Sequence, residues 1–178
     1  AGVRLAGPGG PGHVGAVVSE PVAAVLDAML ALIAAPADGS GVRAGTAPGL
    51  EGVQVFDGPP LGEVEVGDAL ALGLSIEDVS AASGEERPGW GGRRTESHVV
   101  AGLVQSSTGG VDVAVSRVRA YQLLDALRAV LVANLDLSGT CDWARLVRST
   151  YRPVQTAGGC LVLIEFAIRV DATRFEGA

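Results

Sequence analysis

Val53-Gln54-Val55-Phe56-Asp57-Gly58-Pro59-Pro60 is the stretch on which the reading of the fold turns. Val53 and Val55 point one way and Gln54 and Phe56 the other, the period-two alternation of a strand with two unlike faces. Asp57-Gly58-Pro59-Pro60 then stops it. Asp favours entry into a turn, Gly accepts any φ, and neither Pro has an N–H to give to a ladder. A short strand over 53–57 is therefore predicted, and the neighbouring elements follow by working outward from it.

Upstream, Val22, Val25, Leu26, Met29, Leu30 and Ile33 recur at helical spacing and predict a helix over about 20–35 with one broad apolar face. Ser19 is its candidate N-cap, and Glu20 and Pro21 suit a first turn. Pro36 and the loop to Gly49 end it. Residues 1–18 are an arm rich in Gly and Pro, set apart from a single domain over 19–178. A chain of that composition is mobile unless a neighbouring subunit or partner protein holds it.

Downstream, a second strand is predicted over about 68–77. Leu70, Leu72, Leu74 and Ile76 share one side, and Ala71, Gly73 and Ser75 the other. A third runs over about 95–107 through His98, Val100, Gly102 and Val104. Between them lies a long loop, Asp78 to Arg94, containing Glu85, Glu86, Arg87, Trp90, Arg93 and Arg94; loops of that length are usually functional or ordered by a partner. A second helix is expected over about 112–133, capped by Asp112. Its buried stripe is expected to be Val118, Tyr121, Leu124, Leu127 and Leu131, with Arg117, Arg119 and Arg128 off it. Two last strands, about 141–156 and 160–171, form a hairpin turning at Gly158-Gly159. In the final strand Cys160, Val162, Ile164, Phe166, Ile168 and Val170 share one face. Leu161, Leu163, Glu165, Ala167 and Arg169 share the other, which starts apolar and turns charged. The order α-β-β-β-α-β-β describes an α+β domain, two helices packed on a mainly antiparallel sheet.

Composition narrows the function. Of 178 residues 48% are hydrophobic, enough for a packed core, yet no apolar run reaches the roughly 18 residues of a membrane span. The formal charge is −7 and every one of the 13 basic residues is Arg. Such a balance does not grip many phosphates, and suits a passage through which DNA slides. The N-terminus lacks the charged and apolar regions of a signal peptide. In the predicted hairpin Cys160 faces Ala157 and Cys141 lies near Glu176, so no disulfide is expected and both thiols stay reduced.

The motifs point away from catalysis. Gly7-x-Gly9-x-x-Gly12 matches the dinucleotide fingerprint in letters only, because Pro8 and Pro11 interrupt it and no strand precedes it. A phosphate loop needs a Lys, which the chain lacks. His13 and His98 have no Cys or carboxylate at ligand spacing, and His98 reads as an exposed or hydrogen-bonded strand residue. Ser97 and His98 lack a nucleophile elbow and an ordered acid. Glu85 and Glu86 are adjacent in a polar loop and read as solvated or interfacial. No catalytic, cofactor-binding or metal-binding residue is assigned. Trp90, between Gly89 and Gly91, has no evident route into its own core, and interfaces favour Trp and Arg as anchors. Trp143, beside Arg145, reads as partly buried sheet surface.

With V-x-V-F-D-G-P-P between the first helix and the later strands, the chain resembles the tail terminator proteins of long-tailed bacteriophages. The likeness spans about 20–175. It also rests on Glu96-Ser97-His98-Val99-Val100 after a loop bearing Trp and Arg, and on Arg119-Ala120-Tyr121 with Leu123-Leu124 in a helix entered through Asp112. The turn region Gln155 to Gly158 and the last strand, Val162 to Val170, complete it. The resemblance implies a structural virion protein without enzymatic activity or cofactor. It would be a homohexameric ring that caps the tail tube, ends its polymerisation and presents the head-joining surface. The implied partners are other copies of the chain, the tail tube protein and a head–tail connector or stopper protein, with DNA passing through the lumen and no membrane. Glu85, Glu86, Arg87, Trp90, Arg93 and Arg94 would then be a tube-docking loop. The implied setting is the tail or neck of a virion made in a bacterial cytoplasm; gene-transfer particles use similar parts. Two other classes fit the residues: another connector, stopper or tube protein of the neck, and a small α+β enzyme or ligand-binding domain.

Overall fold

The computed structural model describes residues 21–39, 41–59, 67–74, 82–88, 93–110, 112–156 and 159–175. The arm over 1–18, Ser19, Glu20, Pro60, Ile76 and Trp90 lie outside the described residues. The elements run α1 (Pro21–Ile33), β1 (Val42–Ala44), β2 (Gln54–Asp57), β3 (Gly67–Leu72), β4 (Ala82–Pro88), β5 (Arg93–Ser107), α2 (Val113–Ala133), β6 (Trp143–Thr156) and β7 (Gly159–Phe175). They form an α+β fold with two helices on a mainly antiparallel sheet of seven strands.

The sheet order is β1-β2-β3-β5-β7-β6, with β4 also on β5. β5 and β7 form its spine and pair along their length, from Arg93↔Phe175 to Ser107↔Leu161. The other edge of β5 is shared, with β3 along Gly102 to Ser107 and β4 along Arg94 to Val100. One pairing is parallel: β2 runs alongside β3, with Val55 opposite Leu70.

Both helices cover the same face. From α1, Val25, Met29, Leu30 and Ile33 enter the core, as the spacing predicted. They meet Val53, Val55, Leu70, Leu72, Val100 and Val104 of the sheet. The expected inward row of β7, Cys160 to Val170 at alternate positions, is buried throughout. The opposite face holds a second, smaller cluster of Phe56, Ala69, Ala71 and Leu74. The alternation in 53–56 is thus realised: the valines face the helices, Phe56 the other side, and Gln54 is exposed. Gly58, at φ +86°, donates its N–H to the Leu72 carbonyl at 2.7 Å and ends β2 beside β3.

Several expectations are corrected. The loop over Asp78–Arg94 contains β4, and β1 was not foreseen at all. Leu74 does not follow Leu70 and Leu72. Gly73 adopts φ +72°, and the turn sends Leu74 to the smaller cluster on the far face. The buried row of α2 is Ser116, Ala120, Leu123, Leu124, Leu127 and Leu131. Val118 is 56% and Tyr121 42% exposed, because the small Ser116 and Ala120 let the helix lie close to the sheet and turn those two outward. Tyr121 instead stacks on Tyr151 of β6, ring centroids 6.3 Å apart. The β6–β7 register places Cys160 opposite Gln155, not Ala157.

Candidate functional site

α2 begins as its sequence requires. The Asp112 carboxylate accepts from the Ala114 N–H at 2.8 Å and caps the helix. The first turns of α2, with the ends of β3 and β5, line a cleft of about 720 Å³ that includes Asp68, Thr108, Val115, Val118 and Arg119. The polar groups at the ends of β3 and β5 are tied to neighbouring side chains or to backbone. Arg119 Nε donates to Asp68 Oδ2 at 2.6 Å, and Ser106 Oγ donates to Asp68 Oδ1 at 2.9 Å. Ser107 Oγ donates to the Cys160 carbonyl, and Thr108 and Ser116 share a hydroxyl contact at 3.3 Å. The Asp68 carboxylate holds a guanidinium and a hydroxyl together, an arrangement that fixes α2 over the β3–β5 pair. Nothing in the sequence singled out Asp68, whose partner lies 51 residues away.

His98 departs from expectation. It is buried, and among the described residues neither ring nitrogen has a hydrogen-bond partner; Glu96 Oε2 lies 3.6 Å from Nε2. The physical reason is the face it occupies on β5: it pairs with Val170 of the inward row of β7, with Gly84 of β4 on its other side. Position 98 is therefore interior to the sheet. Among the described residues no group of three His, Cys, Asp or Glu stands close enough to hold a metal ion.

The residues expected to form a docking loop are partly brought into a hairpin. Glu85, Glu86 and Arg87 are on β4, opposite Ser97, Glu96 and Thr95 of β5. Arg93 and Arg94 open β5, and Arg94 is half-buried. Trp90 belongs to the connection between the two strands, outside the described residues. β4 was missed because Gly84, Glu85, Glu86 and Pro88 are all poor strand formers; pairing with β5 overrides them. In the family-like segment, Val55 and Phe56 are core residues, whereas Asp57 is exposed at the end of β2.

The face of the sheet away from the helices is built differently at its two ends. Near β1 to β3 it carries the cluster around Phe56. Toward β7 and β6 it becomes charged. Arg152 Nε lies 3.2 Å from Glu165 Oε1, and Arg169 Nε 3.2 Å from Asp171 Oδ1. Trp143 is half-buried there, as expected, with the guanidinium of Arg145 4.6 Å and that of Arg169 5.7 Å from its ring centroid. These are cation–π distances. Neither cysteine is in a disulfide, and both are buried. Burial, with the negative charges of Asp136, Asp142 and Asp171, pushes the Cys141 thiol up to about 11.

No family model matches the chain, and no curated protein matches it. Among solved structures, one similar chain comes from the virion of a native gene transfer agent particle. It is 19% identical with a TM-score of 0.49, over 85% of this chain and 93% of that one. Among the described residues no helix is long and apolar enough to cross a membrane.

Proposed function

We propose that the chain is a structural subunit of a virion, a tail terminator that closes into a homohexameric ring on the tail tube, ends tube growth and offers the surface that the head joins. The observation that carries this reading is the two-sidedness of the sheet. Both helices pack on one face. No described helix covers the other, where apolar residues give way to paired charges toward β6. A closed ring needs subunits with unlike sides, because heterologous contacts join one surface to a different one. The V-x-V-F-D-G-P-P segment supports the same reading, lying where β2 ends beside β3. In this reading the β4–β5 hairpin meets the tail tube. Trp90 is its anchor, and Glu85, Glu86, Arg87, Arg93 and Arg94 form its rim, with DNA crossing the lumen unbound.

The test is direct. Purified full-length chain, viewed by electron microscopy, should give six-fold rings, and rings mixed with purified tail tubes should cap their ends. Trp90→Ala should leave rings intact and lower the count of capped tubes, since a buried interface Trp contributes roughly 2 kcal/mol or more. A chain that stays monomeric at all concentrations and never binds tubes would refute the reading.

A further inference from the structure

The cleft at the start of α2 has a volume of about 720 Å³, that of a binding site rather than of a packing gap. Val115 and Val118 line it, and both are exposed; with Ala114 they give it an apolar wall. Its charges are settled within it. The Asp68 carboxylate takes the Arg119 guanidinium on one oxygen and the Ser106 hydroxyl on the other. An occupant of this cleft therefore meets apolar surface and no net charge. The chain carries a segment of the same chemistry. Residues 5–19 contain no Asp, Glu, Lys or Arg, and Val14-Gly15-Ala16-Val17-Val18 is the apolar run of the arm nearest to α1.

We propose that the cleft of one copy receives Val14–Val18 of a second copy. The inference rests on the ring-forming reading above and names one of its joints. The place where the arm is rooted selects a second copy over the same one. α1 runs antiparallel to β3. The Ile33 carbonyl accepts from the Thr46 N–H at 2.9 Å, beside the Gly45–Val53 bond that leads into β2, whereas Leu26 lies against Gly73. The cleft is at the Gly67 end of β3, about 20 Å from Gly73 at the rise of a strand. Pro21, the first residue of α1, lies further out again. Val17 and Val18 precede Pro21 so closely that, fully extended, they reach only about 14 Å and 11 Å from it. Their own cleft is out of range, and the cleft of another copy is not. A donor and an acceptor at opposite ends of one subunit join copies head to tail, the heterologous contact from which rings are built. Removal of valines from water drives the docking, and no charged group is stripped of its water in the process.

Cysteine cross-linking of the full chain tests this. A Val17→Cys chain mixed with a Val118→Cys chain and allowed to assemble should give, on mild oxidation, a disulfide-linked pair of one copy each, since the bond forms only where the two Cα atoms come within about 7 Å. Cys141 and Cys160 are buried, and neither single variant should give that product alone. A chain carrying both new cysteines should give a ladder of linked copies. Val17→Asp with Val18→Asp, and separately Val115→Asp with Val118→Asp, should leave the fold unchanged by circular dichroism and raise the concentration needed for ring assembly at least tenfold. The cross-link decides the matter for any variant that fails to fold. Rings that form in the mixture without the cross-link would overturn the proposal while leaving the ring reading intact. A bond closed within one chain in place of the ladder, or rings unaffected by either double variant, would do the same. A wild-type chain that is monomeric at all concentrations would overturn both.

Discussion

Gly102→Ala is the sharpest test of how the core is packed. Gly102 sits in β5 opposite Phe166 of β7 and Leu72 of β3, where the Phe166 ring lies across its Cα. A Cβ built there falls 2.6 Å from Phe166 Cε2 and 2.7 Å from the Ala71 carbonyl oxygen. Both are far inside contact distance. The ring can swing, but only by giving up a fully buried position; the Ala71 carbonyl is backbone of a paired strand and has little room. Overpacking of this kind costs about 1–3 kcal/mol, and the backbone contact places this site at the upper end. Replacing Gly in a strand returns about 0.5–1 kcal/mol through the unfolded chain. The net expectation is a loss of about 2 kcal/mol, or about 4–8 °C in Tm for a chain of this size. Urea unfolding should show a lower midpoint with an unchanged slope. Phe166→Leu, destabilising alone, should relieve part of the Gly102→Ala cost, so the double variant falls short of the sum by about 0.5 kcal/mol or more. A Gly102→Ala protein within about 0.5 kcal/mol of wild type, or strict additivity with Phe166→Leu, would refute this account.

Asp112→Ala removes the bond to the Ala114 N–H and should cost about 1 kcal/mol by urea unfolding, with Asp112→Asn close to wild type. The Cys141 thiol, raised from 9.0 to about 11, carries about a hundredfold less thiolate near neutral pH than an unshifted one, so its alkylation should be slower by about that factor while the protein is folded. The same shift predicts the sign of a pH effect. The unfolded thiol loses its proton first, so this group's contribution to stability is whole below about pH 9 and declines as pH climbs toward 11. A Cys141→Ala variant should lose that part of the decline in pH-dependent melting.

Where one periodic pattern stood alone, the sequence was legible. The alternation of β7 and the spacing of α1 each had a single apolar solution, and the structure buries those residues. Asp112 announced the start of α2 because a carboxylate before a helical run has one favourable use. The interior of α2 offered two stripes. Val118 and Tyr121 continue an apolar row as well as Ala120 and Leu123 do, and hydrophobicity alone ranks the larger residues first. Close packing chose the smaller ones. β1, only three residues, is too short to show a period, and β4 carries weak strand formers. Both exist because a neighbouring strand supplies their hydrogen bonds. The burial of His98 and the Asp68–Arg119 pair depend on which strands flank β5, information that local sequence does not hold.

The same edge logic bears on assembly. A sheet with free ends invites strand addition, and proteins that must stop at a defined size guard against it. Here β6 is guarded by a bulge, a proline and three arginines, and β1 by its shortness and by the chain returning from α1. In the proposed ring, an interface built on such ends would gain its register from charge rather than from a ladder of backbone bonds. Charge-set contacts form quickly, discriminate between right and wrong pairings, and weaken with salt. A continuous strand ladder would instead be insensitive to salt and would have no reason to end after a fixed number of copies. If the chain assembles as proposed, its salt response separates the two modes of joining. A ring that survives 1 M salt unchanged would mean that the edges pair by backbone despite their guards.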